Sequence, residues 1–194
     1  MNKINYVLFL LVFALFSCDK ESMKEEQLID VSTQKVEQVL LLKADKQKLA
    51  YALLTSVEKV KVWQKHLEIE FEKDIYNKSQ KEYIDYALNS INPSWFNKDR
   101  KPEVSNKIIE IRKIGFKYFT KNQLYNLIAS LAGNSSIAIS KYDPPLGICT
   151  CNHVNDWCSY GSDCFGTPYC GYSTSGCGDF WGDACTGICK SRDN

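Results

Sequence analysis

Eight of the nine cysteines lie between residues 149 and 189, while the stretch from 19 to 148 has none. Seven of the ten glycines also fall after residue 149. In the C-terminal stretch aliphatic side chains are almost absent, and seven aromatics take their place: Trp157, Tyr160, Phe165, Tyr169, Tyr172, Phe180 and Trp181. Such a segment lacks the material for a conventional core, so cross-links must supply the stability. Four disulfides, each contributing about 2–4 kcal/mol by restricting the unfolded chain, would suffice. Cys149, Cys151, Cys158, Cys164, Cys170, Cys177, Cys185 and Cys189 are therefore read as disulfide partners, and their pairing is left open because eight cysteines allow 105 arrangements.

The N-terminus explains why the thiols can be oxidised. Lys3 precedes an uninterrupted apolar run, Tyr6 to Phe16, which reads as a secretory signal peptide over residues 1–17. The run is too short to cross a bilayer, which takes about 20 apolar residues. Leu15-Phe16-Ser17-Cys18 resembles a bacterial lipobox, making Cys18 the lipid attachment site and residues 18–23 a tether. Two or more acyl chains would hold the chain on a membrane, with the outer membrane or cell surface as the expected address. Removing Cys18 leaves an even number of cysteines for disulfides in an oxidising compartment.

Residues 24–132 carry helical signals, with apolar side chains at three- and four-residue spacing. Thr55/Glu58, Ser79/Glu82 and Thr120/Gln123 have the spacing of capping boxes. Val60, Trp63, Leu67 and Phe71 form one stripe; Ile84, Leu88 and Ile91 form a second, ended by Asn92-Pro93. Val104, Ile108, Ile111 and Ile114 mark a helix between Pro102 and Tyr118. Leu124, Leu127, Ile128 and Leu131 mark another, with Gly133 at its C-cap, and Val36–Leu42 is read as helix. The expected fold is mainly α: a small all-helical N-terminal domain able to fold alone, then a disulfide-rich module of loops and short strands. Residues 133–148, GNSSIAISKYDPPLGI, lose the helical period and read as a linker open to proteolysis, placing the cysteine-rich module at 149–194.

Several chemistries are excluded. A net charge of +1 argues against nucleic acid as a partner. No Gly-rich phosphate loop or HExxH helix is present. The cysteines lack the paired CxxC knuckles of structural zinc and the CxxC of a thioredoxin-like site. His66 reads as a packed or surface helix residue and His153 as a loop residue. No catalytic residue, metal or cofactor is assigned, and the chain is read as not an enzyme.

The cysteine order CxC, six residues, C, five, C, five, C, six, C, with Asp156-Trp157-Cys158 and Ser175-Gly176-Cys177-Gly178, resembles the bacteriocin fulvocin C-related proteins. VEKVKVWQKHL and SQKEYIDYALNSINPSWF resemble the helical region that precedes the cysteine-rich tail there. The resemblance implies a secreted or surface-displayed antimicrobial module held rigid by four disulfides, and the linker leaves open its extracellular release by proteolysis. The tail carries five aspartates against Lys190 and Arg192, a net −3, and residues 19–148 carry the compensating +3. Anionic lipid would repel such a tail, so Trp157 and Trp181 become the candidate contacts to a target-cell receptor or envelope component. The alternative is a non-lethal surface lipoprotein whose tail binds a protein or glycan.

Overall fold

A computed structural model describes residues 33–131, 149–158, 162–167, 170 and 176–192. The signal peptide, Cys18, the tether, Gly133, the 133–148 linker, and Tyr160, Tyr169 and Tyr172 lie outside the described residues.

From residue 33 onward the helical periodicity is realised, except that the last helix ends at Ile128 with Ala129 as its C-cap, so Leu131 lies beyond it. Residues 33–41 form α1, followed by α2 (Ala44–Ala52), α3 (Ser56–Phe71), α4 (Lys78–Ser90), α5 (Pro102–Gly115) and α6 (Lys121–Ile128). A 3-10 turn, Pro93–Phe96, links α4 towards α5. Thr55 and Thr120 cap α3 and α6 through reciprocal capping boxes with Glu58 and Gln123. The Ser79/Glu82 box does not form. Asn77 caps α4 two residues earlier and is answered by Gln80, which leaves Ser79 inside the first turn. Asn is as good an N-cap as Ser, and the earlier start adds about half a turn of helix.

Helix α3 is the centre of the packing, with α4, α6 and the Pro93–Phe96 turn against it. Val62, Trp63 and Leu67 of α3 meet Ile84 and Ala87 of α4, Ile111 of α5, and Leu124, Leu127 and Ile128 of α6, all essentially solvent-free. His66 belongs to this interior. Its Nε2 lies 3.0 Å from the Asn126 carbonyl oxygen, and desolvation holds its pKa below the ordinary imidazole value.

In the C-terminal module, β1 (Ser162–Gly166) pairs antiparallel with β2 (Gly187–Ser191), with Cys164 opposite Cys189 and Gly166 opposite Gly187. Four disulfides close around this ribbon: Cys149–Cys170, Cys151–Cys164, Cys158–Cys189 and Cys177–Cys185. All eight cysteines expected to pair do so, and no bridge reaches outside 149–189. Covalently the module is closed on itself.

It is not separate in its packing. Phe180 and Trp181, in a second 3-10 turn (Asp179–Trp181), are members of the same buried cluster as Tyr51, Trp63, Trp95 and Leu127. The expected picture of an autonomous helical domain beside an independent tail therefore needs amendment, because the helices' core is completed by two aromatics from the tail.

Candidate functional site

The chemistry of the molecule concentrates where the module meets the helices. The sequence Cys177-Gly-Asp-Phe-Trp-Gly-Asp-Ala-Cys185 is a loop pinched at its base by a disulfide and by the bridge pairing of Cys177 with Asp183. Gly178 has φ +71°, a left-handed conformation, and a Cβ there would collide with the Asp183 carboxylate. Phe180 and Trp181 follow with φ of 53° and 51°. Two consecutive non-glycine residues in the left-handed region are rare and cost about 1–3 kcal/mol each. The turn they make drives both rings out of the module in the same direction, into the helices.

There the rings meet a socket of aromatics. Phe180 lies edge-on to Trp63, with centroids 5.3 Å apart, and to Trp95 at 5.1 Å. Trp181 lies edge-on to Tyr51 at 5.3 Å and to Trp63 at 6.0 Å. Edge-to-face pairs of this kind add about 0.5–1.5 kcal/mol each beyond the area they bury. The polar atoms are satisfied across the junction. Trp63 Nε1 donates to the Tyr51 hydroxyl (3.0 Å), which donates to the Phe180 carbonyl (3.1 Å). Trp181 Nε1 donates to the Ala129 carbonyl (2.8 Å), one of the carbonyls that the end of α6 leaves without a helical partner. Lys48 Nζ sits 5.5 Å from the Trp181 ring centre and 3.9 Å from Cys177 Sγ, and desolvation lowers its pKa to about 8.

Around the aromatic hook runs a charged collar. Arg100 donates through Nη2 to Asp183 Oδ1 (2.5 Å) and through Nη1 to the Trp95 carbonyl (3.0 Å). Asn155 Nδ2 donates to Asp183 Oδ2 (2.9 Å), and its Oδ1 accepts from Arg112 Nη1. Arg112 Nη1 also lies 3.6 Å from Asp179 Oδ2, an ion pair without a hydrogen bond. Asp179 Oδ1 accepts from Trp157 Nε1 (2.8 Å). Burial raises the Asp179 carboxyl to about 6, outweighing Arg112, whose attraction pulls the other way. Arg100, just before α5, and Arg112 of α5 thus face two aspartates from the loop, in keeping with the +3 and −3 of the two parts.

The two tryptophans expected to touch a target are placed differently. Trp181 is buried, and Trp157 is half-buried, stacked on Phe116 at 5.9 Å and tilted against Tyr125 at 6.1 Å. Both are contact residues for this chain's own helices: Trp181 is buried against them, and Trp157 keeps part of its surface exposed. Among the described residues, the large apolar side chains the module exposes are Val154 and Phe165.

Comparison with protein-family models, characterised proteins and solved structures returns no match.

The sulfurs of Cys151, Cys158 and Cys189 lie within 4.8 Å of one another, a cluster of metal-ligand type. Each belongs to a disulfide, and thiolates, not disulfide sulfurs, are the ligands that hold zinc. What the hook and its collar do is mechanical: they hold a covalently closed module on the helices by burial, cross-junction donors that include Tyr51, Lys48, Arg100, Arg112, Lys121 and Trp181, and paired charge. Lys121 Nζ, donating to the Cys158 carbonyl at 2.8 Å, adds the last of these contacts. Sequence reasoning missed the hook: its one local mark, two adjacent aromatics bracketed by Gly178 and Gly182, says nothing of where the rings dock.

Four disulfides point to an oxidising, extracellular setting. Among the described residues no helix is long and apolar enough to cross a membrane.

Proposed function

We propose that this chain is an exported lipoprotein, attached through Cys18, that carries a bacteriocin-like four-disulfide module in a held state. The observation that carries the reading is the closure of all four bridges within 149–189, beside the burial of Phe180 and Trp181 in the helices. A cut anywhere in 133–148 would leave the module covalently whole, and only non-covalent contacts would then retain it. The helical part acts as a holder that covers Phe180 and Trp181 until the module is released. Once free, Phe180 and Trp181 become the surface available to a receptor or envelope component of the target cell, which suits a tail too acidic to rely on anionic lipid.

The test separates holding from killing. Protein nicked in the linker is split in denaturant with disulfides intact, and the module and the nicked complex are applied to susceptible bacteria. The reading expects the free module to kill, the complex to be inactive, and the module to lose activity on reduction. A second reading rests on the exposure of Val154 and Phe165. If the free module is harmless while Val154→Asp and Phe165→Asp abolish binding of the intact protein to a surface ligand, the chain is a non-lethal binding lipoprotein.

A further inference from the structure

Helix α2 is inverted relative to an ordinary surface helix. Its inward residues are Gln47 and Tyr51, both fully buried, with Gln47 Nε2 donating to the Val39 carbonyl at 3.1 Å and Tyr51 bonded to Phe180. Leu49, two positions on from Gln47 and so on the opposite side of the helix, is 72% exposed, and Leu53, the C-cap residue, is 87% exposed. Leu41, at the end of α1 just before this helix, is 86% exposed, and Val57, in the first turn of α3 just after it, is 54% exposed. A water-facing helix normally places its leucines inward. Here a polar side chain is inward and the leucines face out, flanked by the exposed Lys43 and Lys46. Of the three lysines in residues 41–57, Lys43 and Lys46 are exposed beside this face, while Lys48 turns inward to the Trp181 ring.

We infer that this face of α2, with Leu41 and Val57 beside it, rests in the headgroup layer of the membrane to which Cys18 holds the chain. The inference rests on the lipoprotein reading and deepens it. Cys18 lies 15 residues before residue 33, a length of chain that reaches at most about 50 Å when extended, so an anchor at Cys18 bounds how far α1 can stand from the lipid and lets α2 reach it. Leucine side chains entering the acyl boundary while lysines remain among anionic headgroups is the ordinary pattern of an interfacial helix. The outcome is an orientation: α2 faces the membrane, and the chain is held there at two points, its lipid and this face.

The full chain, recovered from cells and weighed so that acylation of Cys18 is read independently, is added to vesicles of phosphatidylethanolamine and phosphatidylglycerol. Flotation and amide hydrogen exchange are compared with those of the Leu49→Glu/Leu53→Glu variant, whose fold is checked by circular dichroism. If Cys18 is acylated, both proteins float. Vesicles slow exchange over 41–57 in the parent on the order of tenfold, leave α4 unchanged, and have no such effect in the variant. If the mass shows no acyl chain, flotation becomes the readout. A floating parent and a sedimenting variant then keep the surface while the anchor reading fails. Exchange over 41–57 that vesicles leave unaltered overturns the inference, as does equal slowing in both proteins. Slowing that needs no lipid and grows with protein concentration also overturns it, because the occupant is then a second copy. Absence of both acylation and flotation overturns the surface and the anchor together.

Discussion

Trp181 donates its indole N–H to the main-chain oxygen of Ala129 at 2.8 Å, joining residues 52 positions apart in two parts of the chain that share no disulfide. The bond lies at the bottom of the socket, where the end of α6 meets the hook. It makes the helical part and the cysteine-rich module one packed body, although the backbone between residues 131 and 149 is their only covalent connection.

Truncating the hook should therefore weaken the helices as well as the tail. Phe180→Ala removes a solvent-free ring from between Trp63 and Trp95, and large-to-small changes of this kind cost about 3–5 kcal/mol. Denaturant unfolding followed at 222 nm, a helix signal, should show the full loss. A loss confined to tryptophan fluorescence, with the helical transition unmoved, would mean that the helices do not need the tail.

Acid should help the junction before it harms it. Asp179 is raised to about 6 by desolvation, against an ordinary value of about 3.9 in the unfolded chain. Between those values the folded state binds the extra proton, so this group's contribution is fully present below the lower value and is lost as pH rises through about 6. The change amounts to at most about 3 kcal/mol. Asp179→Asn keeps an acceptor for Trp157 Nε1 and removes the titration. Its stability should be flatter across that window than the parent's, measured by urea midpoints at several pH values. Parallel pH profiles would refute the assignment.

The bridges should divide their labour. Cys177–Cys185 spans 8 residues and Cys158–Cys189 spans 31, so the chain-entropy model gives the shorter bridge the smaller share, about 2.6 against about 3.7 kcal/mol. Yet the shorter bridge closes the base of the hook. Cys177→Ser/Cys185→Ser should cost less global stability than Cys158→Ser/Cys189→Ser but release the module more readily after linker cleavage, as read by gel filtration. The opposite ranking in the release assay would show that the hook does not depend on its own bridge.

Much of the fold was legible because it is local. The stripes Val60-Trp63-Leu67 and Leu124-Leu127-Ile128 are buried as their spacing requires, and Thr55 and Thr120 cap the helices they begin. The misplaced start at Ser79 came from two competing caps two residues apart, which local rules rank as near equals. The eight cysteines announced a stapled module, but their pairing depends on which loops meet in space. The role of Trp181 was invisible for a similar reason. A glycine-flanked Asp-Phe-Trp looks like an exposed loop tip, and nothing nearby in sequence says that two aromatics will accept left-handed backbone to reach Tyr51 and Trp63. The mirrored charges, +3 and −3, were the one long-range hint, and Arg100–Asp183 and Arg112–Asp179 are where they meet.

The central claim, a covalently closed module held on the helices by non-covalent docking, is tested most directly by cutting the linker. The full protein is nicked within 133–148, its mass confirms four intact disulfides, and it is passed through gel filtration in native buffer and then in denaturant without reductant. The account predicts that the two pieces elute together in native buffer and apart in denaturant, with Trp181→Ala shifting the balance towards separation. Pieces that part in native buffer as soon as the linker is cut would contradict it.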